Sequence, residues 1–162
     1  MKLIFLDVDG VLNCAQSTSR APHGCIGVDE DKVALLREIV DATDATIILT
    51  STWKQDWSRI PECRAPDGKY LDDMLFREKL VISSKTEDQV VDRGHGIIRF
   101  LERVGISRVE SWVVLDDDVF YDYEECGILP HLVQTSFSGG GLQRKHVLQA
   151  IRYLNGEVKD GA

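Results

Sequence analysis

Five short apolar runs constrain this chain more than any other feature: LIFL at 3–6, TIIL at 46–49, LVI at 80–82, WVVL at 112–115 and, more weakly, HLV at 131–133. Runs of this length, rich in Val, Ile and Leu, suit strands covered on both faces. Between them the period changes. In residues 29–42, Val33, Leu36, Ile39 and Val40 share one helical face, with acids in the first turn. In residues 96–104, Ile97, Leu101 and Val104 do the same, and Gly105 supplies a stop. A third helix spans 142–154 around Val147, Ile151 and Leu154. Strands alternating with helices predict an α/β fold, a Rossmann-like three-layer sandwich on a mainly parallel central sheet.

In such sheets ligands bind beyond the carboxyl ends of the strands. Three polar clusters sit there. Asp7 and Asp9 follow the first run, Thr50 and Ser51 follow TIIL, and Asp116, Asp117 and Asp118 follow WVVL. Converging carboxylates repel one another and are costly to desolvate, so the site calls for a cation. Oxygen ligands without clustered His or Cys point to Mg²⁺. The hydroxyls after TIIL are placed to donate to a phosphate. A carboxylate nucleophile, a metal and a second carboxylate as acid/base suffice for phosphoryl transfer.

The bulk properties fit a soluble enzyme. With 162 residues the chain is read as one domain, 1–162. It is 43% hydrophobic and 28% charged, as globular proteins are. No apolar run nears the ~20 residues that span a bilayer, and the apolar N-terminal stretch is broken by Asp7 before it could act as a signal. No membrane partner and a cytoplasmic location are expected. Cys14, Cys25, Cys63 and Cys126 show no CxxC spacing and are read as free thiols. The four histidines show no metal spacing, and SGGGLQ at 138–143 lacks the Lys-Ser/Thr of a phosphate loop, so it reads as the lead into the last helix. The net charge of −8 opposes tight, sequence-independent binding to nucleic acid backbone.

FLDVDGVLN, IILTSTWK, RGHGIIRFL and VVLDDD, in their places along the chain, resemble the four motifs of the haloacid dehalogenase-like (HAD) hydrolase superfamily. The combination is similar to a small capless subgroup found alone or within RNA-repair proteins. The resemblance implies a Mg²⁺-dependent phosphatase that acts on a phosphate monoester through an aspartyl-phosphate. Asp7 would be the nucleophile and Asp9 the general acid/base, whose backbone carbonyl also reaches the metal. Thr50 or Ser51 would bind phosphate, as would Arg93, with Lys85 as the other candidate for that basic position. Asp116 and Asp117 would complete the metal site, although DDDVFYD also permits a register through Asp118 and Asp122. A phosphotransferase or mutase, or a non-catalytic phosphate-binding module, are the alternatives.

No large cap domain is expected. The stretches 13–28 and 53–78 are the candidates for a small lid or insertion. An open site favours phosphates on bulky carriers, such as a nucleotide or a nucleic-acid end. Lys54, Arg59 and Arg64 are expected at its rim, with Trp53 or Trp57 available to stack on a base, although their i, i+4 spacing also suits packing. The residues do not fix an oligomeric state.

Overall fold

The computed structural model describes residues 1–87 and 92–157. The strands are β1 (Lys2–Leu6), β2 (Thr46–Leu49), β3 (Ile82–Lys85), β4 (Ser111–Asp116) and β5 (Leu132–Gln134). They form one sheet in the order β3-β2-β1-β4-β5, with every pair parallel. The helices are α1 (Glu30–Thr43), α2 (Pro66–Phe76), α3 (Arg93–Val104) and α4 (Arg144–Leu154). None of them is long and apolar enough to cross a membrane. The expected Rossmann-like three-layer fold is what the chain adopts, with no separate cap domain among the described residues.

Successive side chains on a strand point to opposite faces, and the core divides accordingly. Ile4, Leu6, Ile47, Leu49, Val113 and Leu115 pack on one face against α1, α2 and α4. Leu3, Phe5, Ile48 and Val114 pack on the other against Ile97, Phe100 and Leu101 of α3, joined by Tyr123 and Ile128.

The register then places the polar ends. Leu6 lies opposite both Leu49 and Leu115. One step on, Asp7, Thr50 and Asp116 form a row across three strands. The Asp7 N–H donates to the Leu115 carbonyl at 3.0 Å, and the Thr50 N–H to the Leu6 carbonyl at 2.9 Å. By alternation this row faces the α3 side, along with Phe5, Ile48 and Val114.

Three elements differ from expectation. β3 starts at Ile82, two residues after the start of LVI, because the Leu80 N–H is taken by the Leu75 carbonyl in closing α2. α3 starts at Arg93 rather than 96, because Asp122 caps its N-terminus from another segment. The stretch 53–78 holds a helix, α2, whose Leu71, Met74 and Leu75 enter the core with Trp53 and Trp57.

Candidate active site

Ligand oxygens of Asp7, Asp116 and Asp117 lie within 4.8 Å of one another. Asp7 and Asp116 are buried, at 5% and 0% exposure. Arg93, buried at the start of α3, reaches both: its Nη1 is 3.3 Å from Asp7 Oδ1 and 2.9 Å from Asp116 Oδ2. The Phe120 ring lies 4.2 Å from the guanidinium carbon. Asp116 also accepts from the Tyr123 hydroxyl at 2.7 Å and from the Asp118 N–H at 3.0 Å.

One arginine does not balance this charge. Burial first, then the facing Asp116, hold the Asp7 carboxyl well above the ordinary carboxylate range, although Arg93 pulls it down. Burial and Asp116 raise Asp117 as well. Burial and the nearby Asp116 also raise the Tyr123 phenol, so it stays neutral and donates. Burial alone would lower Arg93, but Asp7 and Asp116 outweigh it and keep the guanidinium charged. Hard, mutually repelling oxygens suit Mg²⁺ by the chemistry of the donor set. Asp7, Asp116 and Asp117 could hold it.

Two buried side-chain polar atoms have no hydrogen-bond partner among the described residues, Thr50 Oγ1 and Arg93 Nε. Both belong to residues singled out for binding phosphate. Ser51 has another role, its Oγ accepting from the Trp53 N–H at 3.2 Å and capping the turn Thr52–Gln55. Lys85 is occupied elsewhere, its Nζ donating to the carbonyls of Lys54 and Trp57 at 2.8 and 2.7 Å. The geometry thus brings Arg93, and not Lys85, to the carboxylates.

It also separates the two acidic registers. Asp118 is exposed and its carboxylate accepts from the Val119 N–H at 2.8 Å. Asp122 accepts from the N–H groups of Gly94 and His95, at 3.1 and 2.9 Å, and lies 2.8 Å from His95 Nδ1. It caps α3 and stands outside the Asp7 cluster. A Cβ on Gly94 would come within 2.8 Å of that carboxylate, so a side chain there would push the Asp122 cap away.

Asp9 faces a different way. Its Oδ1 accepts from Asn13 Nδ2 at 2.9 Å and its Oδ2 from Trp53 Nε1 at 3.2 Å. Its carboxylate is not part of the metal-like cluster, so any metal contact from Asp9 would have to come through its backbone. Immediately after Asp9, Gly10 has φ +82, and a Cβ there would fall 2.2 Å from Asp117 Oδ2. Only glycine lets the turn press against Asp117. Asn13 and Tyr123 are site residues that the sequence reading missed. Asn13 was visible inside LDVDGVLN, four residues from Asp9, whereas nothing local marks Tyr123.

The expected rim is different in the structure. Lys54 is buried, with Nζ 3.1 Å from Thr86 Oγ1. Trp57 is buried, its Nε1 donating to Asp72 at 3.3 Å, and Arg64 lies over its ring while pairing with Asp72 at 2.9 Å. Trp57 therefore offers no face to a base, and Lys54 is no rim cation. Both were drawn inward because the segment from 52 to 76 packs into the core. Arg59 is exposed but lines a cleft of about 640 Å³ beside Leu3, Ile48 and Phe100, which is lined by none of Asp7, Asp9, Asp116 and Asp117.

A family model, described as the HAD domain in Swiss Army Knife RNA repair proteins, matches residues 3–147. No curated protein and no solved structure matches the chain.

Proposed function

The chain belongs to the family of HAD domains in Swiss Army Knife RNA repair proteins, and on that premise we propose that it is a Mg²⁺-dependent phosphatase acting on a phosphate monoester through an aspartyl-phosphate at Asp7. Membership supports a phosphoryl-transfer hydrolase. The observation that carries the finer reading is the pair of unpartnered buried atoms, Thr50 Oγ1 and Arg93 Nε, on residues that flank the Asp7 carboxylate row. Buried polar atoms normally have partners. These two fit a ligand with several acceptor oxygens.

In this reading Asp7 attacks phosphorus while Arg93 and Thr50 hold the phosphoryl oxygens. Asp9 gives a proton to the departing oxygen and later takes one from the water that releases phosphate from Asp7. Asp7, Asp116 and Asp117, with the Asp9 carbonyl, would hold Mg²⁺, which supplies charge neutralisation for the phosphoryl group. Arg93 and Tyr123 keep Asp116 oriented toward that site. The chain works as a single domain. For 53–78 to move as a lid, Trp57 and Leu75 would have to leave the core.

The family's RNA-repair setting makes a phosphorylated nucleic-acid end the first substrate to try. With a net charge of −8 and neither Lys54 nor Trp57 at the rim, recognition would centre on the terminal phosphate rather than the backbone. The test is phosphate release with Mg²⁺ from mononucleotides, sugar phosphates and 5′- and 3′-phosphorylated oligonucleotides. Turnover that disappears in Asp7→Asn is expected. Wild-type turnover in Asp7→Asn would overturn the mechanism.

A further inference from the structure

Asp9 is gripped from two sides. Asn13, fully buried, lies on the same turn, whereas Trp53 comes from the turn after β2, 44 residues away. The Asn13 amide is itself fixed. Its Oδ1 accepts from the Gly10 N–H and its Nδ2 donates to the Gly27 carbonyl, each at 2.9 Å. An amide that must accept from one neighbour and donate to two others has one orientation. The Trp53 indole is held by burial, with the Tyr70 ring 6.4 Å away centroid to centroid. Each Asp9 oxygen therefore faces one N–H group that cannot turn.

We propose that Asn13 and Trp53 are positioning residues that aim the Asp9 carboxyl at the leaving group; this rests on the phosphatase reading above. Amide and indole N–H groups donate and do not accept. A proton carried by Asp9 therefore cannot point at either neighbour. It must occupy a lone pair that both leave free, and residue 9 is exposed to solvent. The clamp thus selects where the acid presents its proton and, once ionised, where the base meets water. In the first step the P–O bond to the leaving group breaks, Asp7 gains the phosphoryl group and the leaving oxygen gains the Asp9 proton. In the second, water attacks phosphorus, its proton returns to Asp9 and the Asp7 carboxylate is regenerated.

The grip has a readout that needs no substrate. In the amide and indole NMR spectrum, Asp9→Ala should shift the Trp53 Nε1–H resonance and speed its solvent exchange at least about tenfold, leaving Trp57 and Trp112 in place. A Trp53 indole indifferent to Asp9 would overturn the clamp. The second arm uses Trp53→Phe, which keeps an aromatic ring, with Asn13→Ser beside it. An alkyl phosphate needs its leaving alkoxide protonated as the P–O bond breaks, whereas p-nitrophenyl phosphate expels the stable p-nitrophenolate anion unaided. Trp53→Phe should lower kcat on the alkyl ester about 10²-fold, the lower end of acid/base loss. It should leave KM and the burst of p-nitrophenolate nearly unchanged. Equal losses on both esters, with a lowered melting temperature, would mean that Trp53 only supports the fold. Asp7→Asn run alongside separates the two ideas. If it abolishes the burst while Trp53→Phe treats both esters alike, the phosphatase reading stands and the positioning role falls. If Asp7→Asn keeps the burst, both fall.

Discussion

Asp122 and the cluster of Asp7, Asp116 and Asp117 flank the first turn of α3, and they are built in opposite ways. Asp122 spends its oxygens on N–H donors from Gly94 and His95. Burial would raise its carboxyl, but the His95 and Gly94 hydrogen bonds outweigh this and hold it below the ordinary range. Asp7, Asp116 and Asp117 turn oxygens toward one another; burial and Asp116 raise Asp7 despite Arg93, and raise Asp117 as well. The first group is finished by the chain itself. The second is short of positive charge and suited to a ligand. Acidity alone does not mark a metal site; what matters is whether the backbone has already answered it.

The contrast can be broken most severely at Arg93. Arg93→Met would leave Asp7 and Asp116 buried without their cation, and should cost about 3–5 kcal/mol in metal-free urea denaturation, as for a broken buried ion pair. Saturating Mg²⁺ should recover part of that loss. A cost near zero would mean that the carboxylates are not under strain. At the finished group, Asp122→Ala should cost about 1–2 kcal/mol, the range of a lost helix cap, with no recovery on adding Mg²⁺. Recovery there would erase the distinction.

The smallest effect lies in the sign of a pH slope. Because Asp122 is depressed in the folded state, the stability it contributes is present above its unfolded pKa of about 4 and is lost as pH falls through its lower folded value. Asp7 is raised, so its contribution is complete below about pH 4 and is lost as pH rises through its folded value. In metal-free buffer, Asp7→Asn should therefore gain on the wild type as pH rises toward neutrality. Asp122→Asn should approach the wild type as pH falls. Parallel curves would show that the two groups are alike.

Much of this was legible along the chain. The apolar runs located the strands because buried parallel strands have little choice of residue. Their register then forces Asp7, Thr50 and Asp116 into one row. The choice between Asp116/Asp117 and Asp118/Asp122 was not legible, because it depends on where the start of α3 sits in space. Nor was the burial of Lys54, whereas the i, i+4 spacing of Trp53 and Trp57 already suited packing. A signal existed, since Pro66 at a helix start followed by Leu71, Met74 and Leu75 reads as an amphipathic helix that must cover something. The bond from Trp53 to Asp9 joins two loops and has no local signature.

The central claim is that the unfinished group binds the cation. It is tested most directly by melting temperature with and without Mg²⁺ in the wild type, Asp7→Asn, Asp117→Ala and Asp122→Ala. At metal about a thousandfold above its dissociation constant, linkage predicts a gain of about 4 kcal/mol. The wild type and Asp122→Ala should show that rise, and Asp7→Asn and Asp117→Ala should not. A full rise in Asp117→Ala together with its loss in Asp122→Ala would contradict the account and move the metal to the other group.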